Sequence, residues 1–388
     1  MESNINGYNV KIIHVITTLT YGGAEAVLYR LCSSDRLNTH IVVSLMDEGI
    51  YAFGPSLQKV GIAVHYLNMP RSRVTISGVI KLFRLIRNLK PDVVQTWMYH
   101  ADLIGGIVAK LAGVKQIYWN IRNSTLELGK SKYSTIMVLK LCAKLSGFLP
   151  KGIVCCAYKA KEVHATLGYD AKKMFIIGNG YDLSIFKESP DLGRKFREEL
   201  NLAEDTRLLG MVGRFDPQKD HFGLLEALSL VKQAGFEFRL CLVGDDLNVG
   251  NIKLIEKIKE LDLIEEIILL DRRSDIPVVM NGLDIHLLSS AYGEAFPNVV
   301  AEAMACGTPC VTTDVGDAAL IVGDTGWVVP PANAARFAEG IAMALKECGG
   351  DPDSWQTRRE AARTRVIENF GLEKMITAYH AVWRGEGV

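Results

Sequence analysis

Two carboxylates eight residues apart, Glu294 and Glu302, bracket a segment whose residue types limit what the pair can do. The segment lies between two strand-like runs, 285–288 and 310–313, and Pro297 suits a first helical position, where its missing N–H is no loss. Gly307 and Pro309 supply stop signals, so 298–306 is expected as a short helix. Phe296 then stands in the N-cap place with no side-chain oxygen to offer. The amides near Asn298 and Val299 therefore need another partner, and an anion such as a phosphate fits. Paired carboxylates could serve hydrolysis, which needs them roughly 5–9.5 Å apart across the scissile bond. With part of the span helical at about 1.5 Å per residue, facing them as acid and nucleophile is hard to arrange. The better use is as hydroxyl acceptors, one for a sugar and one for a ribose, with a diphosphate at the amides between them. A capping acid and a solvated helix acid are the structural alternative.

Other residues could share that chemistry. Gly213-Arg214 follows the strand-like run 208–212, and Lys219 stands just before a helical run over 222–234. Arg214 as a fork and Lys219 as a point charge could clamp two phosphates, with surface salt bridges as the alternative. Gly244 ends the strand-like run 239–243, and the Asp245-Asp246 pair beyond it has no further acidic ligand nearby, which favours a loop over a metal site. Near the start, a strand over 11–17 leads through Gly22-Gly23 into a helix over 24–32, a close-approach turn or a plain connection. It lacks the spacing and the acidic partner of a nicotinamide fingerprint. His100 stands just past a strand over 93–97, and Asn120 and Arg122 occupy a similar edge.

These residues need a scaffold that brings strand ends together. Strand-like runs at 40–46, 63–67, 116–120, 153–156, 174–177 and 267–270 alternate with helix-period runs, and the pattern continues past 323–331 into helices over 334–348, 353–369 and 373–384. Such alternation implies βαβ units and mostly parallel sheets, with ligands at the carboxyl ends of the strands. The polar segment 187–205 is expected to be the hinge between two α/β halves separated by a cleft.

Composition agrees: 388 residues, 48% hydrophobic and 23% charged, suit two soluble globular domains. Eight cysteines without a C-x-x-C pair and eight scattered histidines argue against a disulfide framework or a metal site. Neither a signal peptide nor an apolar run of membrane-spanning length is expected. The net charge of zero hides an asymmetry: residues 1–185 hold 22 Lys plus Arg against 11 Asp plus Glu, and the remainder 22 against 33. Two basic helical runs stand out in the first half. One, over 76–90, carries Lys81, Arg84 and Arg87; the other, over 129–150, carries Lys130, Lys132, Lys140 and Lys144. Helices of this kind can lie on an anionic leaflet or present a solvated face.

The stretch 212–220, the segment 294–309 and Gly22-Gly23-Ala24-Glu25 resemble the GT-B retaining glycosyltransferases of family four, over nearly the whole chain and most specifically from 208 to 331. The resemblance implies an α/β fold of two Rossmann-like domains facing each other across a cleft. An acceptor domain over 1–185 and a donor domain over 186–370 would be followed by a terminal helix, 371–388, packed back on the first. It implies transfer from a UDP-sugar with retention and no metal. Arg214 and Lys219 would hold the diphosphate, Glu294 the sugar hydroxyls and Glu302 the ribose, with His100 beside the sugar. Ala295, Phe296, Asn298, Val299, Gly22, Gly23, Gly213, Gly244 and Arg272 would line the donor, while Arg122 and Asn120 would meet the acceptor. The family commonly has Gly where this chain has Ala295, and a positive φ there would strain Ala by roughly 1 kcal/mol or more.

The expected function is therefore transfer to a lipid-linked saccharide in cell-surface polysaccharide assembly, in the cytoplasm and peripherally on the anionic inner leaflet, with no nucleic-acid partner. Two alternatives are a nucleotide-sugar sensor that transfers nothing and an epimerase that changes the donor with no acceptor present.

Overall fold

The structure, a computed structural model, describes residues 9–20, 22–46, 53–70, 73–124 and 133–386. The chain forms two compact units, Met1–Gly180 with Leu372–Val388, and Tyr181–Gly371.

Unit 1 is built on strands β1 (Lys11–Ile16), β2 (Thr39–Ser44), β3 (Ala63–Tyr66), β4 (Val93–Trp97), β5 (Gln116–Ile121), β6 (Gly152–Cys155) and β7 (Met174–Ile176). Helices α1 (Gly23–Ser34), α2 (Phe53–Lys59), α3 (Ile76–Leu89), α4 (Tyr99–Leu111), α5 (Tyr133–Leu145) and α6 (Tyr158–Thr166) connect them. The strands pair in parallel in the order β3-β2-β1-β4-β5-β6-β7. A parallel sheet is covered on both faces, which is why β1 and β4 are buried along almost their whole length, His14, Gln95 and Thr96 included. Lys130 and Lys132 lie outside the described residues.

Unit 2 opens with α7 (Pro190–Glu199) and alternates β8 (Leu208–Val212), α8 (His221–Gln233), β9 (Arg239–Val243), α9 (Ile252–Glu260), β10 (Ile267–Leu269), α10 (Ile276–Gly282), β11 (Ile285–Leu288) and α11 (Asn298–Ala305). It continues with β12 (Cys310–Thr313), α12 (Ala318–Val322), β13 (Trp327–Val329), α13 (Ala334–Cys348) and α14 (Pro352–Phe370). Its parallel sheet runs β10-β9-β8-β11-β12-β13.

The segment 187–205 is not a linker. It holds α7, whose Phe196 is fully buried and packs against Gly282 of α10. Burying one such ring contributes roughly 1.5–3 kcal/mol, enough to seat an otherwise polar helix. The unit boundary falls instead at Gly180 and Tyr181.

The last helix, α15 (Leu372–Arg384), belongs to unit 1. Its Tyr379, Val382 and Trp383 join the apolar core formed by Ile12, Val42 and Trp97. Its polar atoms are also matched: Tyr379 Oη accepts from Asn120 Nδ2 at 2.8 Å, and Trp383 Nε1 donates to Gln95 Oε1 at 3.1 Å. The eight cysteines are unbridged and buried.

In each sheet the chain order reverses once, between β1 and β4 and between β8 and β11. Loops leaving these strand pairs at their carboxyl ends flank the crevice where a sheet of this type receives a ligand.

Candidate donor and acceptor sites

In unit 2 the switch-point loops follow β8 and β11. Register pairs Ile285 with Leu209, so the loops after the two strands leave the sheet side by side, and residues 75 positions apart meet. Lys219 Nζ lies 2.6 Å from Glu294 Oε1, with side chains only 14% and 10% exposed. The same oxygen accepts from Ser290 Oγ at 2.7 Å and from Gln218 Nε2 at 3.4 Å. Ser289 Oγ donates to the Lys219 carbonyl at 2.7 Å, tying the two loops together. A largely desolvated ion pair with this much hydrogen bonding is a fixed object. Ser290 and Gln218 were not singled out by sequence, although the Ser289-Ser290 pair directly after a buried strand was the available signal.

Arg214 is arranged differently. Its side chain is 60% exposed, and its Nε lies 3.1 Å from Asp216 Oδ2, so Asp216 holds the guanidinium at an exposed rim. Asp216 also caps the turn at Pro217–Lys219 by accepting from Gln218 N. Gly213 and Gly244 end neighbouring strands; the two loops are joined by Phe215 N donating to the Asp245 carbonyl at 2.8 Å. Arg272 is exposed, with its Nε 3.8 Å from Asp245 Oδ1.

Helix α11 begins at Asn298 as expected and ends one residue short of the expected 306, but Pro297 stands outside it. Pro297 is the N-cap, with φ −69° and ψ 101°, because its ring fixes φ while ψ stays extended. No side chain caps the helix. Glu302 lies just over a turn in and is half-buried. Asn298 accepts from Tyr181 Oη at 2.6 Å, and Phe296 packs edge-on against Phe370 at 5.4 Å. Ala295 is not among the residues with positive φ; Gly293 carries it instead, at 85°, so Ala is unstrained here. Ala295 and Val299 line the same loop and first turn, and the Ala295 carbonyl accepts from Asp317 N at 2.9 Å.

Unit 1 has its own switch-point loops, after β1 and β4. Gly22 is the N-cap of α1 in extended conformation, with no capping side chain, and Gly23 is the first helical residue. Glu25 folds back over this turn: its carboxylate accepts from Thr18 Oγ1 at 3.4 Å, and burial raises its pKa. His100 is the second residue of α4, half-buried, and burial lowers its pKa, which keeps the imidazole neutral near pH 7. The preceding Met98 has φ 71° and ψ 155°, an uncommon conformation for a side-chain-bearing residue. His100 lines a cavity of about 300 Å³ with Thr17, Met46, Met69, Arg73 and Ile104.

The two residues assigned to the acceptor divide. Asn120 is fully buried and committed to Tyr379, so it packs α15 and cannot meet a substrate in this conformation. Arg122 is half-buried, donates to Asn179 Oδ1 at 2.6 Å and lies over the Trp97 ring at 5.4 Å.

Among the described residues, His14, Cys32 and His40 form the group with metal-ligand spacing. Their ring nitrogens already have partners. Trp97 Nε1 donates to His14 Nδ1, His14 Nε2 bonds His40 Nδ1, and His40 Nε2 bonds Asp35. Neutral tautomers satisfy that chain completely, so it packs the core of unit 1 without an ion.

Sequence models of two families match the chain. "Glycosyltransferase Family 4" covers residues 21–185 and "Glycosyl transferases group 1" covers 194–364. The chain is 27% identical over 306 residues to a UDP-Gal:alpha-D-GlcNAc-diphosphoundecaprenol alpha-1,3-galactosyltransferase of Escherichia coli, covering 78% of this chain and 77% of the relative. It is 24% identical to the capsular polysaccharide biosynthesis glycosyltransferase CapM of Staphylococcus aureus, over 94% of each. Among solved structures, Anabaena Alr3699/HepE in complex with UDP superposes with a TM-score of 0.84 at 22% identity, covering 97% of this chain and 100% of the other. Two parallel sheets of this order, matched almost end to end by these models and relatives, show that the chain belongs to the family 4, group 1 glycosyltransferases and has the GT-B fold.

Proposed function

We propose that this glycosyltransferase moves a sugar from a UDP-sugar to a lipid-linked saccharide, with retention of configuration and without a metal, in cell-surface polysaccharide assembly. The observation that carries the proposal is the buried Lys219–Glu294 pair in the loops leading to the uncapped start of α11. Lys219 and Arg214 supply the positive charge that a leaving diphosphate requires, and the first-turn amides of α11 add oriented dipoles, which is electrostatic preorganisation. Glu294 accepts from donor-sugar hydroxyls and Glu302 from the ribose. The HepE structure holds UDP on the same fold, which supports a uridine nucleotide. The galactosyltransferase relative acts, by its name, on a diphosphoundecaprenol-linked sugar, which supports a lipid-borne acceptor and hence work at the inner leaflet.

Chemistry proceeds by front-face displacement. The acceptor oxygen bonds to the anomeric carbon on the face from which the diphosphate departs, the carbon–oxygen bond to phosphate breaks, and the acceptor proton passes to a leaving phosphate oxygen. No protein base is needed, in keeping with a Glu294 carboxylate already bonded to Lys219 and Ser290.

Transfer of radiolabelled sugar from a panel of UDP-sugars to a lipid-diphosphate saccharide is the test. Glu294→Ala should lower kcat by several orders of magnitude with the fold intact by circular dichroism, while Glu302→Ala should mainly raise the donor KM. Wild-type transfer by the Glu294 variant would refute the assignment. Label converted with no acceptor present would favour an epimerase, and UDP-sugar binding without any turnover a sensor.

A further inference from the structure

The turn that carries His100 is held in a conformation that its own residues do not favour. Met98, the N-cap of α4, has φ 71° and ψ 155°, a region that is almost confined to glycine and costs other residues of order 1–3 kcal/mol. Such a conformation persists only where the surroundings over-determine it. Met98 N donates to the Asn120 carbonyl at 3.0 Å, and the Met98 carbonyl accepts from Asp102 N at 2.9 Å. Tyr99 is buried with its hydroxyl 2.9 Å from His164 Nε2, and His100, the next residue, lines the cavity of about 300 Å³. The Asp102 side chain closes the turn: its Oδ1 accepts from Thr96 Oγ1 at 2.5 Å and from Asn120 N at 3.4 Å.

One carboxyl oxygen thus ties the end of β4 to the end of β5 across the turn that runs from Thr96 to Asp102. Helix α4 comes near enough for this because Gly105 faces the sheet; a Cβ there would stand 2.9 Å from Thr96 Cγ2. We propose that Asp102 is a positioning residue for sugar transfer, bridging β4 and β5 so that the strained Met98 turn presents His100 to the cavity. This role rests on His100 meeting substrate at that cavity, in line with the function proposed above. For stability alone Asp102 is a costly side chain: it is fully buried, and its Oδ2 has no hydrogen-bond partner among the described residues. That cost falls at the same turn as the Met98 strain, and strain of this kind gathers where a site needs a group held in place.

The groups facing Asp102 favour its neutral form. Tyr99 on α4, Cys142 on α5, Cys155 on β6 and Tyr169 beyond α6 interact with it electrostatically, and burial raises the pKa of each, so all are neutral at pH 7. Burial likewise raises Asp102 to about 7, against the hydrogen bonds from Thr96 and the Asn120 amide, and no cation acts on it among the described residues. Asparagine reproduces the shape and the accepting oxygen of a neutral carboxyl. Alanine removes the bridge altogether.

The test compares Asp102→Ala, Asp102→Asn and Thr96→Val with wild type by sugar-transfer kinetics, thermal shift with UDP and NMR titration of His100. A catalytic group displaced by about 1 Å can cost about a hundredfold, so Asp102→Ala should lower kcat by at least about tenfold with the UDP shift unchanged. His100, which burial holds below its ordinary pKa, should titrate closer to that value in the Ala variant as the turn relaxes. Asp102→Asn should restore most of the lost kcat and the wild-type titration. Thr96→Val removes one bond of the bridge and keeps the carboxyl, so it should lower kcat in the same sense and stands in if Asp102→Ala does not fold. The proposal is overturned if the folded bridge variants transfer like wild type, if Asp102→Asn is as impaired as Asp102→Ala, or if His100 titrates identically in all of them. Wild-type transfer by a His100→Ala variant would instead count against the role given to His100, while the titration still reads whether Asp102 holds the turn.

Discussion

At the residue scale, Lys219 and Glu294 act as one unit. A Lys within hydrogen-bond reach of a mostly buried carboxylate fixes that carboxylate's direction before any sugar arrives. Spacing alone made Glu294 and Glu302 visible as a pair, but not the contact to Lys219, which depends on β8 and β11 being sheet neighbours. Close by, the side chain of His286 in β11 is fully buried with neither ring nitrogen bonded among the described residues. Burial, with a smaller effect from Lys219, lowers its pKa to about 3. The unfolded chain takes up the proton near pH 6.5 and the folded chain does not, so stability falls as pH drops below about 6.5. His14, His164 and His221 are lowered as well, mainly by burial, and act in the same sense. Asp102, raised to about 7 by burial, opposes them, because the folded state holds its proton from about 7 down to the unfolded value of about 3.9. His100, also lowered by burial, joins the four, and Glu25, raised by burial, joins Asp102, so five groups against two predict a net loss on acidification. His286→Leu should therefore raise stability more at pH 5 than at pH 8, by up to about 2 kcal/mol in urea titrations. An equal effect at the two pH values would contradict the account.

At the element scale, the loop before α11 is shaped from outside. Gly316 has φ 64°, and a Cβ there would stand 2.4 Å from the Glu294 carbonyl oxygen and 2.6 Å from that of Ala295. Gly316→Ala should therefore displace the 294–295 backbone and raise the donor KM at least tenfold, with little change in far-ultraviolet circular dichroism; unchanged KM would show that the loop is positioned by other contacts. The strand Leu208–Val212 was legible to the residue, because a strand buried on both faces announces itself as an apolar run. Helix α7 was not, since Phe196 is its one large buried side chain and its outer residues read as a polar linker. Asn120 misled for a related reason: a strand-end position fits substrate contact and helix packing equally, and α15 lies 259 positions further along the chain.

At the scale of the whole molecule, the chain returns to unit 1 after completing unit 2, and α15 closes the core of the unit where the chain began. Its carboxyl-terminal half reaches three buried polar groups at once: Asn120, Gln95 and Asp35, the last through His380 at 2.8 Å. Trp383→Ala would leave a cavity in that core and strip Gln95 of its donor, so unit 1 should lose about 3–5 kcal/mol by chemical denaturation. A loss under 1 kcal/mol would show that α15 is an accessory. The two-unit plan with parallel sheets was legible from the alternation of strand and helix periods, as was the excess of basic residues in the first half.

Donor recognition is tested most directly by a crystal structure of the protein with UDP bound. The diphosphate should lie against the first-turn amides of α11 and within reach of Lys219 and Arg214, with the ribose hydroxyls donating to Glu302. A nucleotide seated away from the loops after β8 and β11, with Arg214 still held by Asp216 and turned from it, would contradict the account.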